Sequence, residues 1–189
     1  MSALRFSKPI LVLDFESTGF VFADNGDVVD AGEPTQLGAV LLDPVTLHQT
    51  DEYLSDIQTD PNFLTEWVLE NTDITPERVQ SAPACEVVAR EFIKTFGHDV
   101  FLASWNVYYD RKWLSQLLGS IGRNHTLYDY HHIDVWTLAY TYLAQQGKAD
   151  IVRSEAVFAD FGQAARSAHN ALDDAKRTAA VMREILLKG

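Results

Sequence analysis

Short apolar runs separated by polar, turn-forming segments dominate the first third of the chain. Residues 9–16, 35–42 and 52–57 have strand-length apolar patterns, and Asp43-Pro44 marks a turn between the last two. We therefore predict an antiparallel meander of three strands. Residues 20–34 are rich in Gly, Asp and Asn, and they are predicted as a loop with room for a short strand turn.

The rest of the chain combines helical periodicity with two more strands, at 99–104 and 130–134. Helices are predicted at 62–70, from Thr75-Pro76 onward, and at 84–96, 108–121, 135–146, 154–161 and 170–188. Strands first, followed by mixed strands and helices, predict an α/β fold in which helices flank a mixed five-stranded sheet. Since no repeat, low-complexity segment or linker divides the sequence, we expect residues 1–189 to form one domain.

Composition narrows the class of protein. The chain is 47% hydrophobic and 22% charged, as is typical of globular proteins. Its net charge of −12 argues against a protein that coats long nucleic acid, because phosphate neutralisation supplies most of that affinity. The single cysteine, Cys85, excludes an internal disulfide and favours a reducing, cytoplasmic location. The apolar run at 10–13 is too short for a signal peptide or a membrane span.

Two carboxylates end the first apolar run. Asp14 and Glu16 point to the same face of the predicted strand because side chains alternate there. Their mutual repulsion requires a positive group between them or protonation of one of them. A hard divalent cation, which prefers oxygen ligands, is the natural candidate.

A third acid, Asp110, lies in the first turn of the helix predicted at 108–121. It falls at the edge of the apolar stripe formed by Leu114, Leu117 and Leu118. An acid at this place commonly interacts with the helix dipole. A functional role gains weight only if other acids converge on it.

The last predicted helix carries two adjacent acids. Asp174 flanks the apolar stripe, while Asp173 is rotated about 100° away. Asn170 and Asp173 have the spacing of a capping pair, which accounts for Asp173 but not for Asp174. His169 comes just before the helix, where a partly exposed imidazole can act as a base near neutral pH.

Three segments together resemble the DEDDh family of 3′→5′ exonucleases, which has a ribonuclease H-like fold. They are D-F-E-S-T-G at residues 14–19, N-V-Y-Y-D at 106–110 and H-N-A-L-D-D-A at 169–175, within a resemblance that covers about residues 9–186. The related DEDDy subclass has a tyrosine at the position of Asn170, so His169 favours the histidine subclass. The sequence departs from many relatives in its long 20–34 connection and in Gln36, where they carry Glu.

The resemblance implies a catalytic and metal-binding set formed by Asp14, Glu16, Asp110 and Asp174, with His169 as the general base. Two Mg²⁺ ions, replaceable by Mn²⁺, are expected, with Asp14 bridging both.

The family also implies contacts with the free 3′ end of single-stranded nucleic acid. Thr18, Gly19 and Phe20 are candidates for binding the terminal nucleotide. Phe20 either stacks on a base or packs in the core. Asn106 either hydrogen-bonds the next nucleotide or caps a helix.

Three functional hypotheses remain open at this point. The first is a 3′→5′ exonuclease that acts on single-stranded DNA or RNA and releases nucleoside 5′-monophosphates. The second is an RNA-trimming exoribonuclease for short oligonucleotides, which the acidic charge suits. The third is a nuclease-like subunit that acts through a partner, either a polymerase or a second copy of the chain. No membrane partner is expected.

Overall fold

The structure, a computed structural model, describes residues 6–165 and 168–188. Its strands are, in chain order, β1 (Ile10–Ser17), β2 (Val21–Phe22), β3 (Val28–Asp30), β4 (Pro34–Leu42), β5 (Gln49–Asp56), β6 (Phe101–Ser104) and β7 (Ile133–Asp134). The main sheet has the order β5-β4-β1-β6-β7. Its β5-β4-β1 part is antiparallel, and β1-β6-β7 is parallel. The predicted mixed five-stranded sheet is confirmed.

The part of the chain that the structure describes contains seven α-helices. They are α1 (Glu66–Asn71), α2 (Pro76–Ser81), α3 (Cys85–Phe96), α4 (Val107–Gly119), α5 (Val135–Gln145), α6 (Ser154–Asp160) and α7 (Ala171–Lys188). Among the described residues, none of the helices combines the length and apolar character needed to span a membrane.

The alternation of side chains along β1 creates two cores. Leu11, Leu13 and Phe15 face one way and pack with residues of α3 and α4. Ile10 and Val12 face the other way and pack with residues of α5, α6 and α7. Strand β1 is therefore covered by helices on both faces, which explains its continuous apolar run.

The prediction of one helix over 62–70 is wrong. A 3-10 turn at Pro61–Phe63 is followed by extended backbone, and α1 starts only at Glu66. The break occurs because the N–H of Thr65 donates to the carbonyl of Thr18 (2.9 Å) instead of to a helical carbonyl. The helical apolar spacing within 62–70 predicts that Trp67 lies in the core, but Trp67 is 53% exposed.

Other boundaries differ less. The 20–34 segment contains the hairpin β2–β3. Strand β5 begins three residues before the predicted start because its pairing with β4 reaches Gln49. The strand predicted at 130–134 is reduced to β7, since β6 offers partners only to Ile133 and Asp134.

Candidate active site

The first two predicted acids lie on β1 where it passes beyond the end of β6. The β1–β6 ladder stops at Val12, two residues before Asp14. Asp14 and Glu16 continue the face that Val12 turns towards α7. Asp14 is half-buried and Glu16 is buried, so both carboxylates lie at the edge of the core.

The start of α7 is held against β4 by two residues that are the register partners of these acids. Gly38 pairs with Asp14, and a Cβ at this glycine would overlap the backbone of Ala171. Gln36 pairs with Glu16, and its Oε1 accepts from the N–H of Ala171 (2.9 Å). The close approach brings the first turn of α7 beside the end of β1.

The helix start separates the two adjacent acids of α7. Asn170 Oδ1 accepts from the N–H of Leu172 (3.1 Å) and of Asp173 (3.3 Å), which confirms Asn170 as the cap. Asp173 is exposed, whereas Asp174 is only 5% exposed and faces β1. Only one of the two acids therefore enters the site.

His169 lies close to an acid of β1 and to an acid of α7. Its Nδ1 is 3.9 Å from Glu16 Oε1 and 3.7 Å from Asp174 Oδ2. The backbone N–H of His169 donates to the carbonyl of Asn71 (3.2 Å), and its ring makes an edge contact with Trp67 at 5.3 Å between centroids. Both contacts come from α1, which thus holds His169 in place.

Asp110 approaches from the opposite helical layer. Its Oδ1 accepts from the N–H of Phe15 (3.2 Å), just beyond the end of the β1–β6 ladder. It is 5% exposed, and burial raises the pKa of its carboxyl to about 7. The carboxylate of Asp134 adds to the rise, and the hydrogen bond from Phe15 opposes it.

Two cavities meet at Asp14. One has a volume of about 210 Å³ and is lined by Glu16, His169 and Asp174. The other has a volume of about 400 Å³ and is lined by Asp110. Both include Asp14 in their walls, so the four predicted acids and the histidine line two adjoining cavities.

Three of these residues have the geometry of a cation site. Glu16, His169 and Asp174 each offer a ligand atom that lies within 4.8 Å of the other two. The two carboxylates of this cluster are oxygen donors of the kind that Mg²⁺ and Mn²⁺ prefer. The donor chemistry therefore fits the expected divalent cation.

The predicted substrate residues are placed differently from one another. Thr18 is buried, and its Oγ1 accepts from the N–H of Glu33 (3.0 Å), so its side chain holds the loop. Gly19 has a φ of 105°, a left-handed conformation that favours glycine, and it lines the smaller cavity. A side chain at Gly19 would also overlap that of Thr65.

Phe20 and Asn106 both line the larger cavity. Phe20 packs edge-on against Tyr109 (4.9 Å between centroids) and also contacts Trp113 (5.9 Å), while it borders both cavities. It therefore combines core packing with a surface towards the site. Asn106 occupies the N-cap position of α4, but its side chain does not cap the helix.

Sequence reasoning missed several residues that shape the site. Gly38 interrupts an apolar strand, which is a signal of close backbone approach. Gln36 is fully buried, and its Nε2 donates to Asp56 (2.8 Å) while its Oε1 binds α7. A Glu there would repel Asp56, so Gln suits this chain. Arg177 lies three residues after Asp174, on the same helix face.

A family model described as "Exonuclease" matches residues 11–182. The chain belongs to this exonuclease family. This membership confirms that the chain is an exonuclease, as predicted. A comparison with curated proteins gave no match.

Solved structures show the same fold at low sequence identity. The nuclease domain of 3′hExo, described as a DEDDh family member bound to rAMP, is 19% identical, with a TM-score of 0.74 over 96% of this chain and 93% of that one. E. coli ExoI in a complex with ssDNA is 17% identical, with a TM-score of 0.73 over 96% of this chain and 41% of that one.

A third structure, a 3′-exonuclease that recognises a histone mRNA stem-loop, is 18% identical. Its TM-score is 0.76 over 99% of this chain and 66% of that one. The chain thus spans slightly under two thirds of this relative and less than half of E. coli ExoI.

Proposed function

We propose that this exonuclease is metal-dependent and removes nucleoside 5′-monophosphates from the 3′ end of single-stranded DNA or RNA. The observation that carries the proposal is the convergence of Glu16, His169 and Asp174 within 4.8 Å, next to Asp14 and a cavity open to a ligand. Relatives that bind ssDNA or an mRNA stem-loop support the choice of nucleic acid.

The residues that would hold the cations are Asp14, Glu16, Asp110 and Asp174. Two Mg²⁺ ions bound there, or Mn²⁺ in their place, would supply neutralisation of the phosphate, activation of water and stabilisation of the leaving oxygen. The buried carboxyl of Asp110 has a pKa raised to about 7, and a nearby cation favours its ionised form.

His169 is the proposed general base. It is held by α1 and remains partly exposed, with 28% of its side-chain surface accessible. A neutral imidazole can accept the proton of an attacking water and release it to solvent, because its ordinary pKa lies near neutrality. The adjacent carboxylates of Glu16 and Asp174 stabilise the imidazolium that forms.

End recognition is assigned to the walls of the two cavities. Gly19 allows backbone to approach the terminal nucleotide, and Phe20 offers an aromatic surface on which a base can stack. Asn106 offers an amide to the next nucleotide, and Thr18 acts by holding the loop. With a net charge of −12, we propose few phosphate contacts and local binding.

A second candidate is an exoribonuclease for short oligonucleotides, which the acidic charge favours because short substrates need few phosphate contacts. Matched DNA and RNA oligomers of decreasing length separate the two candidates. A polymerase or a second copy of the chain as a partner, a single domain and a cytoplasmic location stay predictions.

The direct test is cleavage of a 5′-labelled single strand in Mg²⁺. We expect a ladder that shortens from the 3′ end and is abolished by EDTA, by a blocked 3′ end and by Asp14→Ala. The matched control is Asp173→Asn, which changes an exposed acid and should leave the ladder unchanged. Cutting of a circular single strand would contradict an exonuclease.

The base is tested separately. His169→Ala should reduce turnover more than it reduces Mn²⁺ binding, because the imidazole is proposed to move a proton. Full activity of this variant at neutral pH would remove His169 from that role.

A further inference from the structure

Arg177 is a largely buried cation behind the candidate metal site. Its side chain is 11% exposed, and its Nη1 lies 3.3 Å from Oδ1 of Asp174, one turn earlier on α7. The guanidinium also contacts Glu155 on α6, with Nη2 3.0 Å from Oε2 and Nη1 3.3 Å from Oε1. One guanidinium therefore bridges a site carboxylate and a second helix.

The same guanidinium is connected to the wall of the smaller cavity. It lies over the ring of Phe158 at 4.2 Å from the centroid, and Phe158 stacks on Trp105 at 4.1 Å. Trp105 donates from Nε1 to Oγ of Ser154 (2.9 Å). Phe158, Trp105 and Ser154 all line that cavity. The packing leaves Arg177 little freedom to choose another position.

The contacts divide the two oxygens of Asp174 between different neighbours. Oδ1 is on the side of Arg177, and Oδ2 is on the side of the site, 3.7 Å from Nδ1 of His169. Glu155 largely compensates the charge of the guanidinium because it faces two of its nitrogens. Arg177 therefore affects the orientation of the Asp174 carboxylate more than it affects the net charge around it.

We propose that Arg177, anchored by Glu155, is a positioning residue that makes Asp174 present Oδ2 to the metal. The inference rests on the proposed function, since it concerns a ligand of that site. Groups that orient metal ligands typically change metal affinity or activity about 10- to 100-fold when they are removed.

The experiment measures Mn²⁺ binding to the substrate-free protein by electron paramagnetic resonance, alongside the cleavage rate as a function of Mg²⁺. For Arg177→Gln we expect the Mn²⁺ dissociation constant and the Mg²⁺ requirement to rise about tenfold or more. Arg177→Lys keeps the charge but cannot span both carboxylates, so it should recover only part of the loss.

The matched control is Lys176→Gln, which removes the same charge at the adjacent position of α7. Lys176 pairs with Glu52 on β5 (2.9 Å), on a more exposed surface. Its loss should leave Mn²⁺ binding unchanged. Glu155→Gln removes the charge that anchors Arg177 to α6. It should raise the Mg²⁺ requirement, because the guanidinium is then no longer compensated by Glu155 and competes with the metal for Asp174.

Mn²⁺ binding by Arg177→Gln that equals or exceeds that of the parent would overturn the proposal, because a positioning role requires weaker binding. A parent protein that neither binds Mn²⁺ nor cleaves would instead refute the proposed function. A melting temperature measured for each variant in EDTA confirms that the comparison is between folded proteins.

Discussion

Helices α7 and α4 each bring a buried acid to the site, but the two carboxylates have different neighbours. Asp174 on α7 and Asp110 on α4 are both 5% exposed. Asp174 lies between two basic side chains, Arg177 and His169. Asp110 accepts a backbone hydrogen bond from Phe15, and burial raises its pKa to about 7.

Two carboxylates that are buried to the same extent thus have different neighbours. Burial favours the neutral form, and nearby positive groups favour the charged one. The α7 side therefore has a guanidinium beside its acid, whereas the ionised form of Asp110 gains most from an added cation. The four predictions that follow test this contrast, from the largest expected effect to the smallest.

The largest effect is expected on cleavage. Asp174→Asn and Asp110→Asn should each lower the rate about a thousandfold, since each removes a charge that the cations need and several kcal/mol of transition-state stabilisation with it. Initial rates on a labelled single strand measure this. If Asp110→Asn loses less than tenfold, the α4 side does not belong to the site.

The contact between β4 and the start of α7 should be more sensitive to one added methyl group than the end of α4. Gly38→Ala should destabilise the protein by about 2 kcal/mol or more and lower activity, because the new Cβ overlaps the backbone of α7. Gly119→Ala, near the end of α4 in open space, should stabilise it by about 0.5–1 kcal/mol. Urea unfolding measures both, and equal effects would contradict the close approach.

In EDTA, the two Asn variants should differ in stability. Asp110→Asn removes a carboxyl whose folded pKa, about 7, lies above its unfolded value, so its folded form holds more protons between about pH 4 and pH 7. Its contribution to stability is lost as the pH rises through that range. We therefore expect Asp110→Asn to reduce the fall in the free energy of unfolding between pH 5 and pH 8.

Asp174→Asn should instead lower stability at pH 8, since it weakens an ion pair inside the fold. Urea unfolding at both pH values distinguishes the variants. A steeper pH dependence in Asp110→Asn would contradict the assigned pKa direction.

The smallest effect concerns the orientation of His169. Trp67→Ala should reduce turnover about two- to fivefold, which corresponds to the loss of roughly 0.5–1 kcal/mol from the edge contact. Stability should change by less than about 0.5 kcal/mol, because Trp67 is largely exposed. Tyr130→Ala, which removes another exposed aromatic, is the control and should change neither quantity.

Much of this molecule followed from local patterns. The alternation along β1 placed Asp14 and Glu16 on one face, and the structure places them there. The capping residue Asn170 and the 3.6-residue period separated Asp173 from Asp174. Such features depend on backbone geometry within one element. The spacing of residues along the chain is therefore enough to predict them.

Other features depended on which surfaces meet. Asp110 reaches Phe15 across 95 positions, and Gln36 reaches Ala171 across 135. Trp67 had a helical apolar spacing yet is exposed, because α1 starts late and turns it towards His169.

The sequence by itself therefore determined most of the elements, the faces on which the acids lie and the family of the chain. Only the tertiary structure decided that the acids converge, that Gly38 allows the close approach of α7 and that Arg177 contacts Asp174. The physical reason is that periodicity specifies a direction relative to an element's own axis. Contact between elements distant in the chain depends on how their surfaces pack.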